Sequence, residues 1–255
     1  MRIEHPSLTS WTFALRGFQL YRFLKDKWPA FMFEDPLSRR LWPWLYIRFP
    51  RYQFIVFDGR KMVAAANSVP IHFEGELSEL PETGWTWAIR KAFVDRREGR
   101  VPNTQVMLSI VVAPDARAKG FSTNMIETVK AIGKNEGMSF ALAPVRPSRK
   151  SEFPMLAMEE YVRKQTEDGR IFDPWLRAHV STGGKILSVC NQSMTIPGSI
   201  RTWSRWTHRS FTQSGSFVVD GALAPITIEI EKNRGTYVEP NVWVLHEYGA
   251  SRANR

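Results

Sequence analysis

Val106-Met107-Leu108-Ser109-Ile110-Val111-Val112, then Ala113-Pro114-Asp115-Ala116, then Arg117-Ala118-Lys119-Gly120-Phe121-Ser122 is the stretch on which the fold of this chain turns. Its first part is almost continuously apolar and lies between Pro102-Asn103 and Pro114-Asp115, which predicts a strand covered on both faces near the centre of a sheet. From Phe121 onward Met125, Ile126, Val129 and Ile132 recur on one side of a helix, with Ser122 or Thr123 as capping candidates and Gly137 as its terminator. Met138-Ser139-Phe140-Ala141-Leu142-Ala143 reads as the next strand. Strand, glycine-containing loop, helix and strand form a right-handed parallel crossover, a unit that presents a helix N-terminus to a ligand.

Upstream, Tyr52-Gln53-Phe54-Ile55-Val56-Phe57 and Met62-Val63-Ala64-Ala65-Ala66 flank Asp58-Gly59, a strong antiparallel hairpin signal because Gly accepts positive φ. Trp11, Leu15, Phe18, Leu24 and Trp28 predict an amphipathic helix ended by Pro29, and Trp85, Ile89, Ala92 and Phe93 share the face of another, over 85–94. The Pro- and Trp-broken stretch from Phe33 to Pro50 reads as loop with short helix. Downstream, a basic segment, Arg146-Pro147-Ser148-Arg149-Lys150, precedes a helix around Met155 to Gln165, and Asp173-Pro174 opens another that Gly183-Gly184 stops. From Ile186 the chain reads as short strands and turns. With no internal repeat and no Gly/Ser linker, the expected organisation is one compact domain, 1–150 as core and 151–255 as a C-terminal extension packed on it.

At 255 residues, 43% hydrophobic and 24% charged, the chain is long and apolar enough for a core, which excludes wholesale disorder and collagen-like repeats. Its skew is electrostatic: 35 Lys and Arg against 25 Asp and Glu give a formal charge of +10, pointing to an anionic ligand, nucleic acid or an acidic surface. A lone Cys190 can form no internal bridge and lacks the company a zinc site needs, so no metal is expected. No run of 18 apolar residues and no secretory leader pattern is present, so the expected setting is cytoplasmic, away from membrane.

The segment 117–122 places Arg117, Lys119 and Gly120 where exposed N–H groups and the positive end of a helix dipole can hold phosphate. Arg can engage phosphate oxygens in a bidentate fork, and Gly lets the backbone come close. The pattern R-x-x-G-x-S is neither a Walker A loop nor the G-x-G-x-x-G of dinucleotide folds, which argues against nucleotide hydrolysis and hydride transfer. It resembles the acyl-CoA pyrophosphate loop of the GNAT acyltransferase superfamily, Arg/Gln-x-x-Gly-x-Gly/Ala, with Ser122 at the last small position. The resemblance covers roughly residues 50 to 150. It implies an α/β (α+β) fold with a mixed, mostly antiparallel central sheet and helices on both faces. It also implies that acetyl-CoA or another acyl-CoA is held by Arg117, Ala118, Lys119, Gly120, Phe121 and Ser122. A backbone N–H of Val111 or Val112 would polarise the thioester carbonyl while an amine attacks it directly, and the same strand end would pair with the pantetheine amides.

Such aminolysis needs a base for the ammonium and an acid for the departing thiolate. The resemblance implies a Tyr as that acid, here Tyr161. Glu159, Glu160, Asp173 and His179 are conceivable bases, each with a competing reading as cap, solvated charge or satisfied histidine. His5, His72, His208 and His246 are scattered without metal-ligand spacing, and nothing beside Cys190 would activate its thiol. Trp175, Trp203, Trp206 and Trp243 either line an acceptor pocket or fill the core of the extension. The leading expectation is an N-acyltransferase, most simply an acetyltransferase, acting on a primary amine of a small molecule. Its alternatives are a non-catalytic acyl-CoA sensor, an RNA-binding module, or an acyltransferase for an amine on tRNA or a carrier. Nucleic acid has no supporting motif, because the basic residues are dispersed in pairs such as Arg39-Arg40 and Arg96-Arg97.

Overall fold

Tyr52 to Asn67 folds back on itself at Asp58-Gly59 as that turn signal predicts, and this hairpin lies in a sheet in a computed structural model that describes residues 2–4, 12–25, 27–117 and 120–248. The side chains of residues 12–16 and 18 are outside the description, as is Trp11, so the packing expected of Trp11, Leu15 and Phe18 falls beyond it. In chain order the elements are β1 (Arg2–Glu4), α1 (Thr12–Lys25), α2 (Pro36–Arg48), β2 (Gln53–Asp58), β3 (Lys61–Ile71), α3 (Gly84–Arg97), β4 (Thr104–Val112), α4 (Pro114–Arg117), α5 (Phe121–Asn135), β5 (Phe140–Val145), α6 (Met158–Val162), α7 (Pro174–Ser181), β6 (Lys185–Gly198), α8 (Ile200–Thr207), β7 (Gly215–Phe217), β8 (Ile226–Glu229) and β9 (Arg234–Glu247).

The strands form one sheet in the order β1-β2-β3-β4-β5-β9-β8-β7, with β6 on the other edge of β9. Among the described strands only the β4–β5 pair is parallel, as a crossover through α5 requires. The apolar run 106–112 is therefore paired with β3 along one edge and, at Val106, with β5 on the other, and it is mostly buried. Residues beyond 150 complete the sheet: β9 pairs with β5 from Phe140↔Glu247 to Val145↔Val242.

Helices cover both faces. On β9, Trp243 meets Trp87 of α3 while His246 meets His179 of α7; an odd spacing along a strand puts these side chains on opposite faces. Helix α5 lies with α7. Met125, Ile126, Val129 and Gly133 form its buried face, and at Gly133 a Cβ would stand 2.6 Å from the Tyr248 hydroxyl, so helix and sheet approach closely there.

Three segments differ from the sequence reading. The stretch 33–50 contains the 13-residue helix α2, because Asp35 caps it by accepting from the Ser38 N–H at 2.6 Å and Pro36 stands at its first turn, while Pro43 leaves it unbroken. The helix expected over 155–165 is only α6, five residues. From Ile186 on, β6 and β9 are each 14 residues long; register shifts at Ile186/Ser188 and Cys190/Met194 break the alternation that would have marked β6 as one strand.

Candidate functional site

β4 and β5 pair only through Thr104↔Phe140, Gln105↔Ala141 and Val106↔Leu142. Beyond that β4 runs on to Val112 with no strand on this edge among the described residues, while Ala143, Pro144 and Val145 keep only their pairing with β9, which runs the whole length of β5. The sheet splits here, and Pro144, with no N–H, offers no donor across the opening. Ser109 and Ile110 are only half-buried in a strand otherwise buried throughout. Opposite Asn67/Ser68 the β3–β4 register skips Leu108, a β-bulge at the start of the split, and the Leu108 carbonyl accepts from the Trp85 indole Nε1 at 3.0 Å.

Backbone alternation says which groups face the opening. The Ala113 N–H donates to the Val63 carbonyl of β3 at 2.8 Å, and Ala65 stands opposite Val111, so the Val111 N–H also points at β3. The N–H groups of Ile110 and Val112 point the other way, into the split. The Val112 carbonyl on that side accepts from Arg117 Nε at 3.0 Å.

At the end of β4, Gly120 begins α5 with φ 76°, a left-handed conformation that L side chains enter at a cost, and open space surrounds the position its Cβ would take. Gly120, not Ser122 or Thr123, is the capping residue: the Thr123 hydroxyl donates to the Gly120 carbonyl at 2.9 Å and no side chain caps the helix. Among the described residues, the first-turn N–H groups of this 15-residue helix, from Phe121 and Ser122 on, thus have no side-chain acceptor, and the turn holds no acidic residue. Ala118 and Lys119 lie outside the described residues. Gly120 is the hinge of a cradle of backbone donors that has Arg117 beside it and the split strand edge leading into it.

The other sequence candidates are placed elsewhere. Tyr161 is 1% exposed and its hydroxyl donates to Asp173 Oδ2 at 2.8 Å; burial first, then the Asp173 charge, pushes the phenol well above its usual range. Asp173 also accepts from the N–H groups of Arg149, Trp175 and Leu176 at 2.8, 2.9 and 3.0 Å, so it is a buried cap rather than a base. His179 Nδ1 lies 2.9 Å from His246 Nε2 in the interior, where burial holds both imidazoles below their ordinary range. Glu159 is exposed and accepts from Asn191 Nδ2 at 2.8 Å, and Glu160 is exposed on the same helix. Burial pushes the Cys190 thiol up to about 12, which disables it as a nucleophile at neutral pH. Trp203 and Trp243 are fully buried and fill the core; Trp175 stacks edge-on against His179 and Trp206 against Trp203. His72 pairs with Glu74 and His208 ends α8; His5 lies outside the described residues. Among the described residues no group of three or more His, Cys, Asp or Glu side chains could hold a metal ion, and no helix is long and apolar enough to cross a membrane.

Sequence reasoning missed three parts of this neighbourhood. Ile110 is one, since only the register with β3 shows which edge its N–H faces. Trp85 is another: it reads as a core residue, and its indole bond to Leu108 is a tertiary contact. Just past β5, Arg146 Nε meets Glu239 Oε2 at 3.0 Å beneath Trp28, and Tyr237 and Asn241 also donate to the Glu239 carboxylate, at 3.0 and 3.2 Å. This buried network joins the chain just past β5 to β9.

Against known proteins, the chain is 31% identical over 251 residues to the arginine N-acetyltransferase avaD of Aspergillus versicolor, spanning 88% of this chain and 86% of that protein. Among solved structures it superposes on the loading GNATL domain of CurA from Lyngbya majuscula with a TM-score of 0.58 at 16% identity, covering 97% of both chains. It also matches the GphF GNAT-like decarboxylase in complex with isobutyryl-CoA, with a TM-score of 0.54 at 16% identity over 97% of this chain and 100% of that one. No protein-family model matches the chain.

Proposed function

This chain belongs to the GNAT superfamily of acyltransferases, and on that premise we propose that it moves an acyl group from acetyl-CoA or a related acyl-CoA to the primary amine of a small molecule. It is an enzyme of acyl transfer to an amine. The fold cannot choose the reaction, because one solved relative is a decarboxylase; the sequence relative, an arginine N-acetyltransferase, favours amine acylation and makes arginine the first acceptor to try.

The observation that carries this reading is the split of β4 from β5 ending at the uncapped start of α5. A pyrophosphate fits that end because the first-turn N–H groups of α5 are unclaimed by side chains and Gly120 leaves the approach open. Arg117, held by its Nε to the Val112 carbonyl, keeps its terminal nitrogens for phosphate oxygens. Acyl-CoA supplies the activated thioester. The N–H groups of Ile110 and Val112 face the split; one is placed for the pantetheine amides and the other for the negative charge that grows on the thioester oxygen. One preorganised donor of this kind is worth about 3 kcal/mol of barrier. Of the two strand residues expected to polarise the carbonyl, Val112 is retained and Val111 is not, because the Val111 N–H belongs to the β3 ladder. Phe121 and Ser122 contribute backbone donors.

Tyr161 is given no proton-transfer step: its proton is already donated to a buried carboxylate, and the residue stiffens the base of α7. The acceptor enters from the face carrying α3 and the segment 27–48, beside β9, a strand supplied by residues beyond 150. Isothermal titration with acetyl-CoA and free CoA, followed by thiol release with arginine and a panel of amines, tests the proposal. Micromolar CoA binding with thiol release dependent on an amine is the expected result; absence of CoA binding would overturn it.

A further inference from the structure

At the opposite end of β4, a cleft of about 610 Å³ opens between the C-terminal turn of α2, residues 49–52, the end of β3 and the C-terminal turn of α3. Eight residues of strand separate Thr104 beside this cleft from Val112 beside the Gly120 cradle, a distance of about 26 Å at the usual rise. The acyl-CoA reading makes no use of it.

The walls are apolar: Ile47, Phe49, Tyr52, Pro70, Val101 and Pro102. The charges are one-sided. Arg48, Arg51, Arg96 and Arg100 line the cleft against the single acid Asp95. Asp95 is 2% exposed and already serves Lys91 Nζ at 3.0 Å and the His72 N–H at 2.8 Å, so little of its charge reaches the cleft. Arg51 pairs with Glu136 at 3.3 Å and Arg100 with Glu98 at 2.7 Å. Arg48 and Arg96 have no carboxylate partner among the described residues; each guanidinium instead lies over an aromatic ring, Arg48 over Trp44 at 5.7 Å and Arg96 over Phe49 at 5.6 Å. A cation near a helix C-terminus is ordinary. Here two helix ends and the turn between them bring four arginines to one apolar hollow, two of them with free donors.

We propose that this cleft is a second ligand site, for a small organic anion with a flat apolar body carrying a phosphate or carboxylate group. The exposed faces of Ile47, Val101 and the prolines take the body, and the forks of Arg48 and Arg96 take the anion. The volume is that of a small-molecule site. The arginine pair Arg96-Arg97, which reads in the sequence as dispersed charge, gains a specific use for its first member.

The test is calorimetric titration with 1-naphthyl phosphate, with 1-naphthol and inorganic phosphate as the half-ligands. The variant is Arg48→Gln with Arg96→Gln; both side chains are exposed and neither has an ion pair among the described residues, so little of the fold rests on them. Arg201→Gln, an exposed arginine on α8, gives a control for loss of charge. The expected result is sub-millimolar binding of 1-naphthyl phosphate, at least tenfold weaker for either half-ligand and for the double variant, and unchanged in Arg201→Gln. Binding should persist in Gly120→Glu and at saturating CoA, which separates this site from the acyl-CoA cradle. No binding, equal binding by the double variant, or displacement by CoA would each overturn the proposal.

Discussion

Gly120 lets the effect on binding be separated from the effect on folding. Its φ of 76° and the open space around it mean that Gly120→Ala meets no clash and carries only the left-handed penalty, about 1 kcal/mol. For a chain of this size that lowers Tm by about 2–4 °C. Gly120→Glu carries the same penalty, but its carboxylate stands at the positive end of α5, which returns about 0.3–1 kcal/mol. The two variants should therefore melt within a few degrees of each other. Their affinities for CoA should not match. A carboxylate about 5 Å from a pyrophosphate opposes it by about 3 kcal/mol per unit charge at an effective dielectric of about 20, so Gly120→Glu should bind CoA over about 100-fold more weakly than Gly120→Ala. Thermal melts establish the first statement and isothermal titration at physiological salt the second. If Gly120→Glu binds CoA within about threefold of Gly120→Ala, no phosphate lies at this helix start and the cradle has been misread.

Tyr161→Phe should lower stability by about 2 kcal/mol, the loss of a buried bond to a charged acceptor, while leaving the pH profile of kcat unchanged. A large fall in kcat at unaltered Tm would return Tyr161 to the role of acid. Trp85→Phe leaves the buried Leu108 carbonyl unpaired at the bulge, at about 1–3 kcal/mol, and should reduce kcat more than CoA affinity because the Ile110 and Val112 donors lose their register; equal kcat in the variant would detach the bulge from catalysis. The histidine pair sets an acid limit. Burial holds His246 down to about 4 from 6.5, and His179 below its usual range too, so the unfolded chain takes up protons below about pH 6.5 that the folded chain refuses. Stability contributed by neutral His246 is full above pH 6.5 and falls as pH drops toward 4, by about 3 kcal/mol across that window. Denaturant melts between pH 7 and 4 should show a shallower slope for His246→Gln than for the natural chain, and parallel slopes would contradict this account.

Local patterns carried the crossover that defines the site. The apolar run 106–112, the helical spacing of Met125, Ile126 and Val129 and the Asp58-Gly59 turn each act through neighbours a few residues away, so periodicity and turn chemistry reveal them before any contact forms. The setting of Arg117 and Gly120 between strand and helix was legible for the same reason, and the phosphate site proposed for them would be built from consecutive residues. Distant pairings decided the rest. Which edge of β4 is open depends on the β4–β5 pairing stopping at Val106↔Leu142, and the facing of Val112 rather than Val111 depends on the register with β3. Tyr161 looks like an ordinary helix tyrosine until its hydroxyl is found donating to the buried Asp173, and His179 like a possible base until His246, 67 residues on, meets it in the core. A side chain's type sets what chemistry it can do; its burial and its partner, which arise only when remote segments pack, decide whether it does so.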